Sequence, residues 1–172
     1  MEILEIVKER LSLFKNLYDS IRIVDPIDKK VISFGQDDDF LSKGYCYSIC
    51  KRDEYCKNCI SLRAFLENDT FVKMEFINGK LLLIISSPIT IESSTYIVEM
   101  IKDISQTSSI MKNEKSDYNI ENLIAKMNDV AIKDELTGIY NRRYINERLI
   151  LDINDSSTHN KPLWMMGMKH FV

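Results

Sequence analysis

The sequence predicts an α+β chain: an antiparallel five-stranded sheet with helices on one face, an N-terminal helix before it, and a long helical linker and incomplete α/β segment after it. Three observations predict it. Apolar residues near the N-terminus recur at three- and four-residue steps. Those between 70 and 104 alternate or run on, and those between 120 and 130 return to helical spacing.

Residues 2–17 read as an amphipathic helix with Ile3, Ile6, Val7, Leu13, Phe14 and Leu17 on one face, widened by Leu4 and Leu11 and interrupted by Arg10. Ser20 to Val24 and Lys30 to Phe34 are short strands. Asp25-Pro26-Ile27-Asp28 joins them as a hairpin, since Pro fixes φ and Asp bonds the local backbone. Gly35 to Asp39 is an acidic loop. Cys59 to Glu67 reads as a helix closed by Asn68-Asp69. Thr70 to Ile77 alternates, with Val72, Met74 and Phe76 on one side and Lys73 and Glu75 on the other. Asn78-Gly79 is the two-residue loop of a type I′ hairpin, because both positions tolerate φ > 0. Lys80 to Ser86 is almost wholly apolar and reads as a central strand; Ser93-Ser94 turns the chain into a last strand, Thr95 to Ile104. Residues 106–133 read as a helix, polar at first. Ile120, Leu123, Met127 and Val130 then fall at a/d spacing, which offers either a face docked on a neighbour or the seam of a two-stranded, homodimeric coiled coil.

Composition narrows the function classes. A net charge of −3 with scattered basic residues gives no nucleic-acid footprint. The longest apolar run, Leu81 to Ile85, falls far short of the ~20 residues that span a bilayer, and the acids at Glu2 and Glu5 do not suit a signal peptide. The expectation is a cytoplasmic protein without a membrane span.

All 4 cysteines lie at 46, 50, 56 and 59. In a cytosolic chain such clustering points to metal or redox chemistry rather than structural disulfides. Cys56 and Cys59, two residues between them, can reach one metal, and Cys46 and Cys50 fit one helical turn; together they could hold zinc or an iron–sulfur cluster. A reversible dithiol is a third reading, since Cys56 and Cys59 sit near a helix start, where the dipole lowers a thiol pKa. Apolar packing is the fourth. Lys51, Arg52 and Lys57 would offset thiolate charge, which tilts the balance toward a metal. Residues 18–105 contain no histidine, which argues against a histidine-ligated haem.

The order of strand pair, helical middle and three-strand meander from Tyr18 to Ser105, ending in Val98-Glu99-Met100-Ile101-Lys102-Asp103-Ile104-Ser105, resembles the PAS fold, a sensory module found upstream of many signalling enzymes. Asp134-Glu135-Leu136-Thr137-Gly138-Ile139-Tyr140-Asn141-Arg142-Arg143 is similar to the D-x-L-T-G-L-x-N-R-R signature that opens GGDEF (diguanylate cyclase) domains. The resemblance rests there on Asp134, Leu136, Thr137, Gly138, Asn141, Arg142 and Arg143. Physically it is a tight turn feeding a helix, with Gly138 suited to a conformation closed to other residues. The resemblance implies a metal-binding aspartate further on. Gly167 occupies that place and Lys169 the next acid position, neither of which ligates Mg²⁺, and the loop that names the family is absent.

The expected organisation is an N-terminal helix (1–17), a PAS-like sensor (18–105), a signalling helix (106–133) and a truncated GGDEF segment (134–172). The expected function is a sensory or regulatory module of a cyclic di-GMP signalling protein. It reads a redox, metal or small-molecule input through Cys46, Cys50, Cys56 and Cys59, with no cyclase activity in this chain, and acts as a homodimer or with an intact GGDEF protein. The competing readings are a fragment of an active cyclase and a stand-alone metal-binding dimerisation module.

Overall fold

Alternating apolar residues draw residues 20 to 103 into one antiparallel sheet. The computed structural model describes residues 3–34, 44–50, 55–91, 93–106 and 117–163. Its strands are β1 (Ser20–Asp25), β2 (Lys30–Phe34), β3 (Gly44–Tyr45), β4 (Phe71–Ile77), β5 (Lys80–Ile91) and β6 (Ser94–Asp103), in the order β3-β2-β1-β6-β5-β4. The helices are α1 (Ile3–Leu11), α2 (Ile60–Glu67), α3 (Asp117–Val130) and α4 (Arg142–His159). First and last long strands are therefore neighbours: β1 pairs with β6 from Ser20↔Ile101 to Val24↔Ile97. The sheet has six strands rather than the expected five, because Gly44–Tyr45 adds a two-residue edge to β2.

Local chemistry sets the turns. Asp25 Oδ1 accepts the backbone N–H of Ile27 at 2.9 Å and of Asp28 at 3.0 Å, fixing the first hairpin. Asn78 and Gly79 take φ of 55° and 75°, as a type I′ turn requires. β5 runs five residues past the expected Ser86, through Pro88. Phe71 at the start of β4 stands opposite Ser86, so beyond that point β5 borders only β6, and a proline without an N–H is tolerated.

Helices cover both faces, not one. On one face α1 brings Val7 onto Ile21, Ile23 and Val98, and α3 brings Ile120 and Ile124 onto Leu81, with Met74 and Phe76 beside them. On the other, α2 lays Ile60 and Ala64 over Val24, Ile84, Ile97 and Ile101. β1 is consequently buried on both sides from Ser20 to Val24. The N-terminal helix is shorter than expected: from Ser12 to Leu17 the chain tightens to a 3-10 turn, the three-residue repeat breaks the apolar face, and Leu13 and Leu17 end up exposed. The linker helix is α3 within the described residues; 107–116 lie outside them. The alternation in β4 divides the residues as expected, with Met74 and Phe76 under α3, but the opposite side is buried too. Lys73 and Glu75 are the buried pair, 2.9 Å apart, while Val72 is exposed.

The packing predicts a sharp contrast. Leu82→Ala, beneath α2, should cost about 2–5 kcal/mol in urea unfolding. Leu136→Ala, where the side chain is 96% exposed, should shift stability by no more than about 0.5 kcal/mol.

Candidate functional site: a thiol-lined recess under helix α2

The face beneath α2 carries a row of charge that the sequence disguises. Arg22 on β1 and Ser86 on β5 stand in register with Glu99 on β6. Arg22 Nε donates to Glu99 Oε2, Ser61 Oγ of α2 donates to Glu99 Oε1, and the Ser61 and Ser86 hydroxyls share a hydrogen bond of 3.0 Å. All four residues are buried. Among the described residues every buried side-chain N or O has a hydrogen-bond partner, which is the condition under which such a layer is tolerated.

This layer positions the cysteines. Cys46 opens a 3-10 turn, Cys46–Cys50, directly after β3; its N–H donates to Lys29 O at 2.7 Å, and Arg22 Nη2 donates to its carbonyl at 2.8 Å. Lys73 Nζ, besides pairing with Glu75, donates to the Asn58 carbonyl at 3.2 Å. One buried cation thus fastens each cysteine-bearing segment to the sheet. Cys59 is the N-cap of α2, with Sγ accepting the Leu62 N–H at 3.4 Å. Cys46, Cys56 and Cys59 are thiols and line one recess with Arg22, Ser61, Lys73 and Glu99. Cys50 closes the 3-10 turn, and its side chain lies outside the described residues, as do Lys51 and Arg52.

Electrostatics corrects one expectation. Burial first, and then neighbouring Cys56, push the Cys59 thiol up to about 11 against the weaker pull of the Leu62 N–H and Lys73. Cys46 is raised even more, again chiefly by burial and then by the Glu99 carboxylate and Cys59. Desolvation outweighs the helix-start effect, so these groups are neutral thiols at pH 7. Cys46, Cys56 and Cys59 nevertheless come to the same recess from two separate segments. Among the described residues no set of three His, Cys, Asp or Glu side chains is arranged as a metal site. The recess holds about 20 Å³ of space, room for one water-sized occupant. Cys46, Cys56 and Cys59 line that space without being arranged as ligands.

The second motif is also structural. Asp134 accepts the Thr137 N–H at 3.0 Å and its hydroxyl at 2.7 Å, and these bonds hold the Asp134 carboxyl below its ordinary range. Gly138 takes φ +70°. Asn141 caps α4 by accepting the Tyr144 N–H at 2.9 Å, while its own amide and Arg143 both donate to Ala131 O. Asp134, Thr137, Gly138, Asn141 and Arg143 therefore build one turn between α3 and α4. Leu136 and Arg142 are exposed. Gly167 and Lys169 lie outside the described residues. The a/d row of α3 divides: Ile120 packs on the sheet with Ile124, and Leu123, Met127 and Val130 face outward. Ile120 is thus not available to a partner helix.

No family model matches the chain, and no curated protein matches it. Among the described residues no helix is long and apolar enough to cross a membrane. Sequence reasoning missed Arg22, Ser61, Lys73 and Glu99. Two charged residues inside apolar strands, Arg22 and Glu99, were the available signal.

Glu99→Ala would leave Arg22 charged and buried, so it should cost about 3–5 kcal/mol in denaturant unfolding. At Cys59, serine keeps the cap and removes the sulfur, whereas alanine removes both; Cys59→Ala should be less stable than Cys59→Ser by about 1 kcal/mol. The pH dependence has a definite sign. The folded thiol holds its proton above its unfolded value of 9.0, so the stability of wild type relative to Cys59→Ser should be level below pH 9 and fall from there to about 11. A flat difference across that window would show that Cys59 ionises as freely as in the unfolded chain.

Proposed function

We propose that this chain is the sensory and relay part of a signalling protein of the GGDEF type, and that its input is a thiol-directed one. The observation that carries this reading is the convergence of Cys46, Cys56 and Cys59, from two separate segments, on one recess seated on the Arg22–Glu99 layer. In this reading residues 18–105 are a PAS-like sensor. Support comes from the element order: a strand pair, a helical middle, and the β4-β5-β6 meander. The GGDEF-like part of the reading is supported by residues 134–143 folding as a tight turn into a capped helix, the form their resemblance implies.

The input that best suits the recess is one thiophilic ion such as zinc. Burial disfavours bare thiolates, and coordination supplies the positive charge that lets the protons leave. Cys50, which completes the 3-10 turn, is the natural fourth donor. Arg22 and Lys73 would balance part of the thiolate charge. The chain acts as a cytoplasmic regulator in this reading and pairs with a second copy through the outward row Leu123, Met127 and Val130. Gly167 at the place of the family's metal acid argues against cyclase chemistry, because glycine has no side-chain oxygen for Mg²⁺.

Metal analysis and an absorbance spectrum of anaerobically purified protein test the proposal. The expected result is a colourless protein holding about one zinc per chain, in line with a closed thiolate site, with most of that metal lost in Cys56→Ser. Visible charge-transfer bands would replace the single ion by an iron–sulfur cluster. Protein that stays metal-free on zinc addition and indifferent to a thiol oxidant would end the sensing reading. Formation of cyclic di-GMP from GTP and Mg²⁺ would overturn the non-catalytic part.

A further inference from the structure

The cysteine-bearing turn does more than line the recess. Between Tyr55 and Arg63 it also grips both C-terminal helices. Arg63, one turn into α2, reaches Glu147 of α4 with two parallel bonds, Nε to Oε1 at 2.7 Å and Nη2 to Oε2 at 3.2 Å. The two residues are 5% and 6% exposed, so this bidentate pair is shut away from water. Arg63 also donates to Asn58 Oδ1 at 3.1 Å, and Asn58 Nδ2 donates to Asn128 Oδ1 of α3 at 2.8 Å. At the other end of the turn the Tyr55 hydroxyl donates to Asp152 of α4 at 2.8 Å, with the Arg148 guanidinium 4.1 Å from the Tyr55 ring. Cys56 and Cys59 stand between these grips, and Cys59 is the cap that starts α2 four residues before Arg63.

The composition of α4 makes this clamp decisive. Of its 18 residues only Tyr144, Glu147 and Leu151 are buried. A helix with so little apolar burial is held by its specific polar contacts rather than by a general hydrophobic face. A buried ion pair also breaks in an all-or-none way, because a half-separated pair leaves charges without water or partner. Such a contact suits a two-position element.

We propose that α4 is latched onto the sensor by Arg63–Glu147 and Tyr55–Asp152, and that the cysteine turn is the catch. Drawing Cys56 and Cys59 toward Cys46 around an ion must re-form residues 55–59. That removes the Cys59 cap and shifts Tyr55, Asn58 and Arg63 together. The bonds from this turn to α4 then break as a group, and α4, left with the long Asn154 contacts to Ile27 O and Asp28, loosens while the sheet stays intact. The proposal rests on the thiol-directed input above for its trigger, but the latch stands on its own contacts.

Hydrogen–deuterium exchange on the whole chain separates the two. Glu147→Gln, which keeps the size of the side chain and removes its charge, should speed exchange of the α4 amides by about tenfold or more, with Ile97 to Ile101 of β6 unchanged. Cys59→Ala, which removes none of the hydrogen bonds made to α4, should speed α4 as well. Zinc added to metal-stripped wild type should do the same. Unchanged α4 exchange in Glu147→Gln overturns the latch. Release in Glu147→Gln but not in Cys59→Ala overturns the role of the cysteine turn as its catch. Release in both variants, with zinc failing to bind, leaves the latch in place and removes the sensing reading. If β6 also exchanges faster in Glu147→Gln, the ion pair supports the whole fold, and the latch is again overturned.

Discussion

The arrangement depends on one buried carboxylate. Glu99 sits in the middle of the sheet with Arg22 on one neighbouring strand and Ser86 on the other, and Ser61 comes down on it from α2. A lone charge there would be expensive to bury. Surrounded by a guanidinium and a hydroxyl, it becomes a docking point that specifies where α2 lies. The same guanidinium reaches past Glu99 to the Cys46 carbonyl. The sheet therefore positions α2 and the first cysteine segment through one connected set of bonds, and a second cation, Lys73, does the same for the segment before Cys59. Buried polar layers of this kind specify register more than they add stability.

Much of the fold was legible because it follows from short-range chemistry. Asn78-Gly79 dictates its own hairpin, Asp25 its own turn, and Asn68 ends α2 in a left-handed conformation at φ 51°. Four of the five expected strands fell close to their bounds for the same reason; β5 ran on to Ile91. What was not legible involved partners distant in sequence. Lys73 and Glu75 look like a solvated face until Asn58 and α2 come to cover them. Arg22 and Glu99 are 77 residues apart, and nothing local announces that they meet. The assignment of helices to one face failed because periodicity says that a helix has an apolar side, not which side of the sheet receives it.

The candidate site divides along the same line. Clustering of the cysteines was visible, and three of them do meet. Their chemical state was not visible, since the helix-start effect is local and the desolvation that outweighs it comes from tertiary burial. The turn motif at 134–143 is the opposite case: Asp134, Thr137, Gly138 and Asn141 each satisfy a backbone group nearby, so sequence and geometry agree.

That turn has a mechanical side. Lys133 and Tyr140 face each other in a single antiparallel bridge, the Asn141 N–H bonds Ile132 O at 2.9 Å, and Ile132 is buried at the junction. A joint so fully cross-braced has little freedom to bend. α3 and α4 are thereby set at a defined angle to one another, and a displacement of either helix is passed through the joint to the other.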